Sequence, residues 1–506
     1  MIKNWLIKRS LYSGYRQFEK DCQDPETVYL HLWQNEILPL LKCGNYWSDK
    51  WKPALEDYSI TSYSDYKASL ENSLASPFSE LTGEPVLFWA QSAGTTGSEK
   101  FFPVTPSFRT QFQRTLQPYL YSISSRHTGL FKRPVLYMAA IESHRYSAAG
   151  IEMGFISNFN YRLIPDALKN LYVTPYACFC DASVFRRFAT VYALASDLSG
   201  VFAVVPMGLK SFISTIRENW LAILAYLRKQ KPLPLYLPPI AITKSRLKYL
   251  ESLSPAALTF EALWPSMQFV ACWKSSVCQA QLALLQQDLG NIDVVDAIYA
   301  ATEGWCNVPM AGMGQGGPIH PRAHILEFLP IGAAPMEANL LKPWQLTAGE
   351  IYELFFTTAM GLVRYRIFDA IKCTGFFRKS PIVEFVEKSD RSISIGLVCI
   401  SELELVKACL AVGISLDVDT CFAPNYAGNG LTLYTWRTEL PSWAEKLQRA
   451  DGHLQEMNAV YRKYSNTDFL RPLSMATLPQ EHAFWTRKVV HAQTKPGYLM
   501  QTAPAH

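Results

Sequence analysis

From about residue 80 to residue 299, short apolar runs take turns with longer amphipathic segments, and this rhythm constrains the fold more than any single motif does. The runs Val86–Trp89, Pro134–Ala140, Gln268–Trp273 and Val294–Tyr299 are apolar nearly throughout, as strands covered on both faces are. Helices are expected between them. Thr105 and Pro106 offer an N-cap and a first-turn proline for a helix through about Ser125; others are expected over Ser183–Ser196, Lys210–Lys229 and Cys278 to about Leu289. Residues 1 to about 80 carry helical spacing, as in Val28, Leu32, Trp33, Ile37 and Leu40. The pattern is that of an α/β fold with buried sheets.

Near residue 320 the texture changes. Ala323–Leu329, Gly349–Thr358, Leu362–Ile367 and Ile371–Gly375 read as short strands with tight connections, which favours antiparallel pairing in a β-rich subdomain. The charged run Glu387–Arg391 then interrupts the apolar pattern. Beyond it a small α+β unit is expected: strand Ser392–Ile395, helix Ser401–Val412, strand Leu431–Trp436 and helix Trp443–Ser465. Two domains follow, 1–388 and 391–506, as a chain of 506 residues needs more than one core.

A net charge of +5, with lysines and arginines scattered among acids, leaves out the basic stripe of a nucleic-acid binder. Eleven cysteines and nine histidines form no zinc spacing and no disulfide framework, so a reduced cytoplasmic setting is expected. The segment Phe188–Leu209 is broken by Asp197, Ser199, Gly200 and Pro206, so no membrane span or membrane partner is expected.

Three segments gather chemistry. In the first, the strand ending at Trp89 runs into Gln91-Ser92-Ala93-Gly94-Thr95-Thr96-Gly97-Ser98-Glu99-Lys100. Glycines let the backbone approach phosphate oxygens, hydroxyls and amides donate to them, and a lysine adds positive charge. ATP is the first ligand to consider, although an ordinary Ser/Gly turn reads the same way and the spacing is not that of a Walker A loop. The second is Tyr299-Ala300-Ala301-Thr302-Glu303-Gly304-Trp305, directly after a buried strand. A carboxylate there can hold Mg²⁺ together with nucleotide phosphates, or it can simply bond the backbone. The third runs from Gly349 to Asp369 through Arg364-Tyr365-Arg366. Asp369 can accept both hydroxyls of a ribose and Arg366 can balance phosphate charge; a sheet-face ion pair is the plainer alternative.

The order of these three segments resembles the Gretchen Hagen family of acyl acid amido synthetases, a branch of the adenylate-forming superfamily. The family's phosphate loop, roughly S-S-G-T-[ST]-x-x-x-K, is similar to Ser92–Lys100. Its Y-x-[AS]-S-E-G looks like Tyr299–Gly304, and its Y-E-L-V-x-T-x-x-G-L-Y-R-Y-R-x-G-D block is matched from Tyr352 to Asp369. The resemblance implies an adenylate-forming fold, with a large α/β domain and a small mobile α+β C-terminal domain turning about 388–391. It implies ATP and Mg²⁺ as cofactors. Ser92, Gly94, Thr95, Thr96, Gly97 and Lys100 would meet phosphates. Glu303 would reach Mg²⁺, Thr302 the α-phosphate or acyl carboxylate, Tyr299 the adenine and Asp369 the ribose. Gln493-Thr494-Lys495-Pro496 is similar to a C-terminal Q-x-K-x-P-R, which makes Lys495 the candidate catalytic lysine, with Lys488 its rival. Met153 and Gly154, in a glycine-rich segment, and Arg114, on the helix after the loop, are the candidate acyl contacts.

Departures are visible too: Phe368 replaces the glycine before the ribose aspartate, and Glu387 and Lys388 stand where a basic pair is common. The activity implied is activation of a carboxylic acid as its adenylate and transfer to an amino acid or other amine, by a monomer. A thioester ligase using CoA or a carrier protein, and a ligand-binding homologue without turnover, remain open from sequence.

Overall fold

The computed structural model describes residues 2–92, 99–138, 145–162, 169, 171–179, 184–229, 234, 236–389, 392–395, 398–414, 416, 420–425, 429–436, 441–465, 470–479 and 498–500. Two compact units emerge, one of residues 1–275 with 287–386 and one of residues 276–286 with 387–506. Among the described residues no helix is long and apolar enough to cross a membrane.

The first unit opens with a helix, Ile2–Asp21, that packs along the helix Pro106–Arg126. The second of these starts where the sequence places it: Thr105 accepts from the Phe108 amide and Pro106 fills the first turn. Eight strands follow in chain order: β1 (Phe88–Ser92), β2 (Lys100–Val104), β3 (Val135–Tyr137), β4 (Arg145–Tyr146), β5 (Glu152–Gly154), β6 (Gly200–Phe202), β7 (Phe269–Cys272) and β8 (Asp293–Asp296). They make two sheets. In one the order is β2-β1-β5-β4, with β1 antiparallel to β2 and parallel to β5; in the other β3-β6-β7-β8 run parallel throughout. A third sheet orders β10 (Ile325–Pro330), β11 (Ile351–Thr357), β12 (Tyr365–Phe377) and β13 (Ser380–Lys388), closed at its edge by β9 (Gly317–Pro318).

The core of this unit joins Leu32, Trp33, Trp47 and Tyr66 of the N-terminal segment to Phe88 and Phe102 of β1 and β2 and to Phe328, Leu354 and Phe356 of the third sheet. The N-terminal helices therefore brace the strands that carry the candidate site.

Several elements differ from the sequence reading. Leu362–Ile367 and Ile371–Gly375 are not two strands; Tyr365 to Phe377 is one strand of 13 residues. Its pairing with β11 steps from Phe355↔Arg366 to Glu353↔Ala370, so Ile367, Phe368 and Asp369 face Leu354 alone. This bulge, and not a turn, breaks the alternation. The expected helix over Lys210–Lys229 is two, Pro206–Glu218 and Trp220–Lys229, parted at Asn219. The helix expected over Ser183–Ser196 is present from residue 184 to Ala195, with a wider π-helical stretch, Phe185–Ala189, running straight into Thr190–Ala195.

The second unit has its own core. A hairpin of β14 (Ser392–Ile395) and β15 (Val398–Ser401) leads into a helix, Glu402–Ala411, capped reciprocally by Ser401 and Glu404. Strands β16 (Thr420–Asn425), β17 (Gly430–Thr435) and β18 (Ser474–Thr477) form a sheet, and Leu405, Phe422, Leu433 and Leu447 pack together. The expected helix Trp443–Ser465 is two, because Asn458 ends Pro441–Met457 and caps Ala459–Tyr464 by accepting from the Tyr461 amide.

Candidate active site

The β1–β2 hairpin pairs Ser92 with Lys100, so the two ends of the glycine-rich loop are fixed side by side. The Gln91 side-chain amide donates to Glu99 at 2.7 Å, and Arg145 of β4 donates to both Glu99 carboxylate oxygens at 3.2 Å and to Gln91 Oε1 at 3.0 Å. Lys100 carries its ammonium 5.4 Å from the centre of the Tyr63 ring. On the other side of β1, Met153 and Gly154 pair with Trp89 and Ala90. Two of the expected acyl contacts thus lie in the sheet that carries the loop. Gly94, Thr95, Thr96 and Gly97 lie outside the described residues, as do Lys495 and Lys488.

Beyond β8 the chain makes a tight excursion. The Cys306 amide donates to the Tyr299 carbonyl and the Ala301 amide to the Gly304 carbonyl, which leaves Thr302 and Glu303 at the tip. Gly304 is required there by space. A Cβ would come within 2.7 Å of the Phe356 ring and 3.1 Å of His324.

Glu303 is only 6% exposed and lies near enough to Tyr365 for its charge to act on the phenol. Burial pushes the Tyr365 phenol far above its ordinary range, and the Glu303 charge adds to that, so the phenol stays protonated. Asp369, 1% exposed, accepts from the Tyr299 hydroxyl. Burial and then the Asp369 charge hold the Tyr299 phenol protonated as well. Phe102 of β2 packs edge-on against Tyr365 with ring centres 6.0 Å apart, which links the phosphate-loop hairpin to the strand facing Glu303.

The backbone explains how Asp369 is aimed. Phe368 has φ of +61°, inside the bulge, in the left-handed region that glycine enters without strain. A position that is glycine in the family motif is here held by a phenylalanine in a glycine-like conformation.

Two arginines are engaged elsewhere than expected. Arg366 forms paired 2.9 Å hydrogen bonds with Glu353 and stacks on the Phe368 ring, so its charge is already balanced. Arg114 donates to Glu36 at 2.7 Å and to the Arg322 carbonyl at 3.1 Å, tying its helix to the N-terminal segment. Sequence reasoning passed over Tyr365, Gln91, Glu99 and Arg145; the only signal for Tyr365 is its place between two arginines in β12.

Among the described residues no group of three or more His, Cys, Asp or Glu could hold a metal by itself. One buried carboxylate suits Mg²⁺ that keeps most of its oxygen ligands from phosphates and water.

The fold is that of the acyl acid amido synthetases. The solved structure of GH3.15 acyl acid amido synthetase matches with a TM-score of 0.80 over 97% of this chain and 94% of that one, at 16% identity. The GH3 family N-terminal domain matches residues 55–293 and the GH3 family central domain residues 317–388; the chain belongs to the GH3 family. An indole-3-acetic acid-amido synthetase of Arabidopsis thaliana is 22% identical over 388 residues, covering 69% of this chain and 70% of that protein. A jasmonoyl–L-amino acid synthetase of Oryza sativa subsp. japonica is 24% identical over 369 residues, covering 63% and 61%.

Proposed function

We propose that this protein is an ATP-dependent acyl acid amido synthetase. A carboxylic acid attacks the α-phosphorus of ATP and expels pyrophosphate, giving an acyl adenylate; the amine of an amino acid or related acceptor then attacks the acyl carbon, expels AMP and gives up a proton. Carboxylates do not react with amines at neutral pH, so the protein's part is charge neutralisation and placement.

The observation that carries this reading is the convergence of Glu303 and Asp369. They come from separate segments, both are buried, and the Tyr299 hydroxyl of the Glu303 segment donates to Asp369 of the other. Asp369 would take the ribose hydroxyls and Tyr299 would lie by the adenine. Glu303 would hold Mg²⁺, which supplies charge neutralisation at the phosphates, and Thr302 beside it would meet the α-phosphate or the acyl carboxylate. Ser92, Lys100 and the glycine-rich loop between them would bind the phosphates that leave. Lys495 is assigned to adenylation ahead of Lys488. Relatives named for conjugating indole-3-acetic acid and for joining jasmonate to amino acids support a small carboxylic acid and an amino acid as substrates.

Carboxylate-dependent ATP–pyrophosphate exchange over a panel of benzoates, indole acids, jasmonate-like and fatty acids tests the first half. Supplying amino acids without CoA tests the second. Exchange with no acid in the panel, or product formed only with CoA, would overturn the reading.

A further inference from the structure

Arg145 opens β4, which is separated from the phosphate-loop hairpin by β5. Its side chain reaches back across that strand. One guanidinium nitrogen donates to both Glu99 carboxylate oxygens at 3.2 Å, and the other donates to Glu99 at 3.2 Å and to Gln91 Oε1 at 3.0 Å. The Gln91 side-chain amide donates to Glu99 at 2.7 Å, so the three side chains close a ring of hydrogen bonds. The guanidinium also lies 5.6 Å from the ring centre of Phe101 in β2.

This ring sits at the base of the loop. The β1–β2 ladder ends at Ser92↔Lys100, with Gln91↔Phe101 one pair before it, so Glu99 is the first residue past the ladder. The end of a hairpin ladder frays unless something holds it, and a loop that its ligand must order gives up affinity to the entropy of ordering. Bonds from a planar guanidinium to a carboxylate are charge-assisted and directional, so they hold Glu99, and Lys100 next to it, in place beside β1. The Glu99–Arg145 pair carries no net charge, which leaves the attraction for phosphate to Lys100. We infer that Arg145 is a positioning residue for the phosphate loop: through Glu99 and Gln91 it sets the two ends of the loop before ATP arrives. The inference rests on the phosphate role proposed above for Ser92, Lys100 and the residues between them.

The test titrates the full chain calorimetrically with α,β-methylene ATP and with AMP, in Mg²⁺ and without acyl acid, so that turnover plays no part. AMP lacks the two phosphates assigned to the loop and reports on the rest of the site. Arg145→Met should lower affinity for the ATP analogue about fivefold, the scale of a half-exposed ion pair with good geometry, and should leave AMP within about twofold of the wild type. Equal loss for both ligands marks a general structural role and overturns the inference, as does no loss for the analogue.

Glu99→Met separates positioning from simple charge. Removing an acid beside a phosphate site strengthens anion binding if charge alone decides, whereas losing the carboxylate that Arg145 and Gln91 hold weakens it. The variant should bind the analogue about threefold more weakly; unchanged or tighter binding overturns the inference. Lys100→Met isolates the underlying reading. If that variant binds the analogue like the wild type, the phosphate role of the loop is wrong and the inference falls with it. If Lys100→Met loses affinity and Arg145→Met does not, the inference alone falls.

Discussion

The guanidinium of Arg366 lies 4.5 Å from the ring centre of Phe368, one residue before the aspartate that the bulge presents. This contact accounts for a phenylalanine where the backbone favours glycine. The left-handed conformation costs a side-chain-bearing residue about 1 kcal/mol, and a cation over an aromatic face returns a similar amount, about 0.5–1 kcal/mol.

Two substitutions separate these terms. Phe368→Ala keeps the strain and loses the ring, whereas Phe368→Gly loses both. The glycine variant should be the more stable by about 1 kcal/mol in urea unfolding. Equal stability would mean that φ at this position relaxes and that the strain is absent.

Gly304→Ala tests the tip of the Tyr299–Cys306 excursion. The added methyl meets Phe356 at 2.7 Å, and Phe356 is fully buried. Overpacking of this kind costs about 1–3 kcal/mol. The shift should be felt next door at Glu303, so pyrophosphate exchange should fall further than the fraction of folded protein does. Exchange that simply follows the folded fraction would count against a link between the tip and Glu303.

Much of this architecture is legible in the chain. Thr105-Pro106 announces its helix because capping is local chemistry, and the apolar runs announce the strands because burial on both faces leaves no polar alternation. Features that depend on register are hidden. The bulge at Ile367–Asp369 reads as a turn, since only pairing with Glu353 and Phe355 reveals three residues facing one. Tyr365 reads as a core aromatic, and its nearness to Glu303 depends on where the loop after β8 folds back. Arg114 and Arg366 read as ligand contacts because their acidic partners, Glu36 and Glu353, lie 78 and 13 residues away in sequence.

Arg364 is the structural member of the same arginine pair. It is 2% exposed and donates twice to Glu327, itself 1% exposed, and to the carbonyls of Glu56 and Tyr58. Lys342 reaches Glu327 as well, at 2.8 Å. Arg364→Met should destabilise the first unit by about 3 kcal/mol, near the lower end for breaking a buried pair because Lys342 keeps part of the Glu327 charge compensated. Denaturant unfolding measures this directly, and a loss below about 1 kcal/mol would place the pair with weak surface bridges.

Acid should weaken the first unit through two buried histidines. Burial pulls His324 down to about 3 and His320 to about 4 from an ordinary 6.5. The Ala359 amide donates to the Gln111 Oε1 atom, so the His324 Nδ1 facing that oxygen at 2.9 Å carries the proton of a neutral ring. Because the folded values are depressed, the unfolded chain takes up protons first. Stability is complete above pH 6.5 and declines as pH falls toward 4. Asp296 opposes part of this. Burial raises its carboxyl to about 6, so the native state gains a proton there before the unfolded state does, and its contribution grows as pH falls through that value. Two histidine protons against one from Asp296 should remove about 2–3 kcal/mol between pH 6.5 and pH 5. His324→Asn keeps a donor for Gln111 and removes one titrating group, so its slope should be shallower by about one proton. Urea unfolding followed by tryptophan fluorescence at pH 7, 6 and 5 gives both slopes, and identical slopes would show that His324 is not the group that titrates.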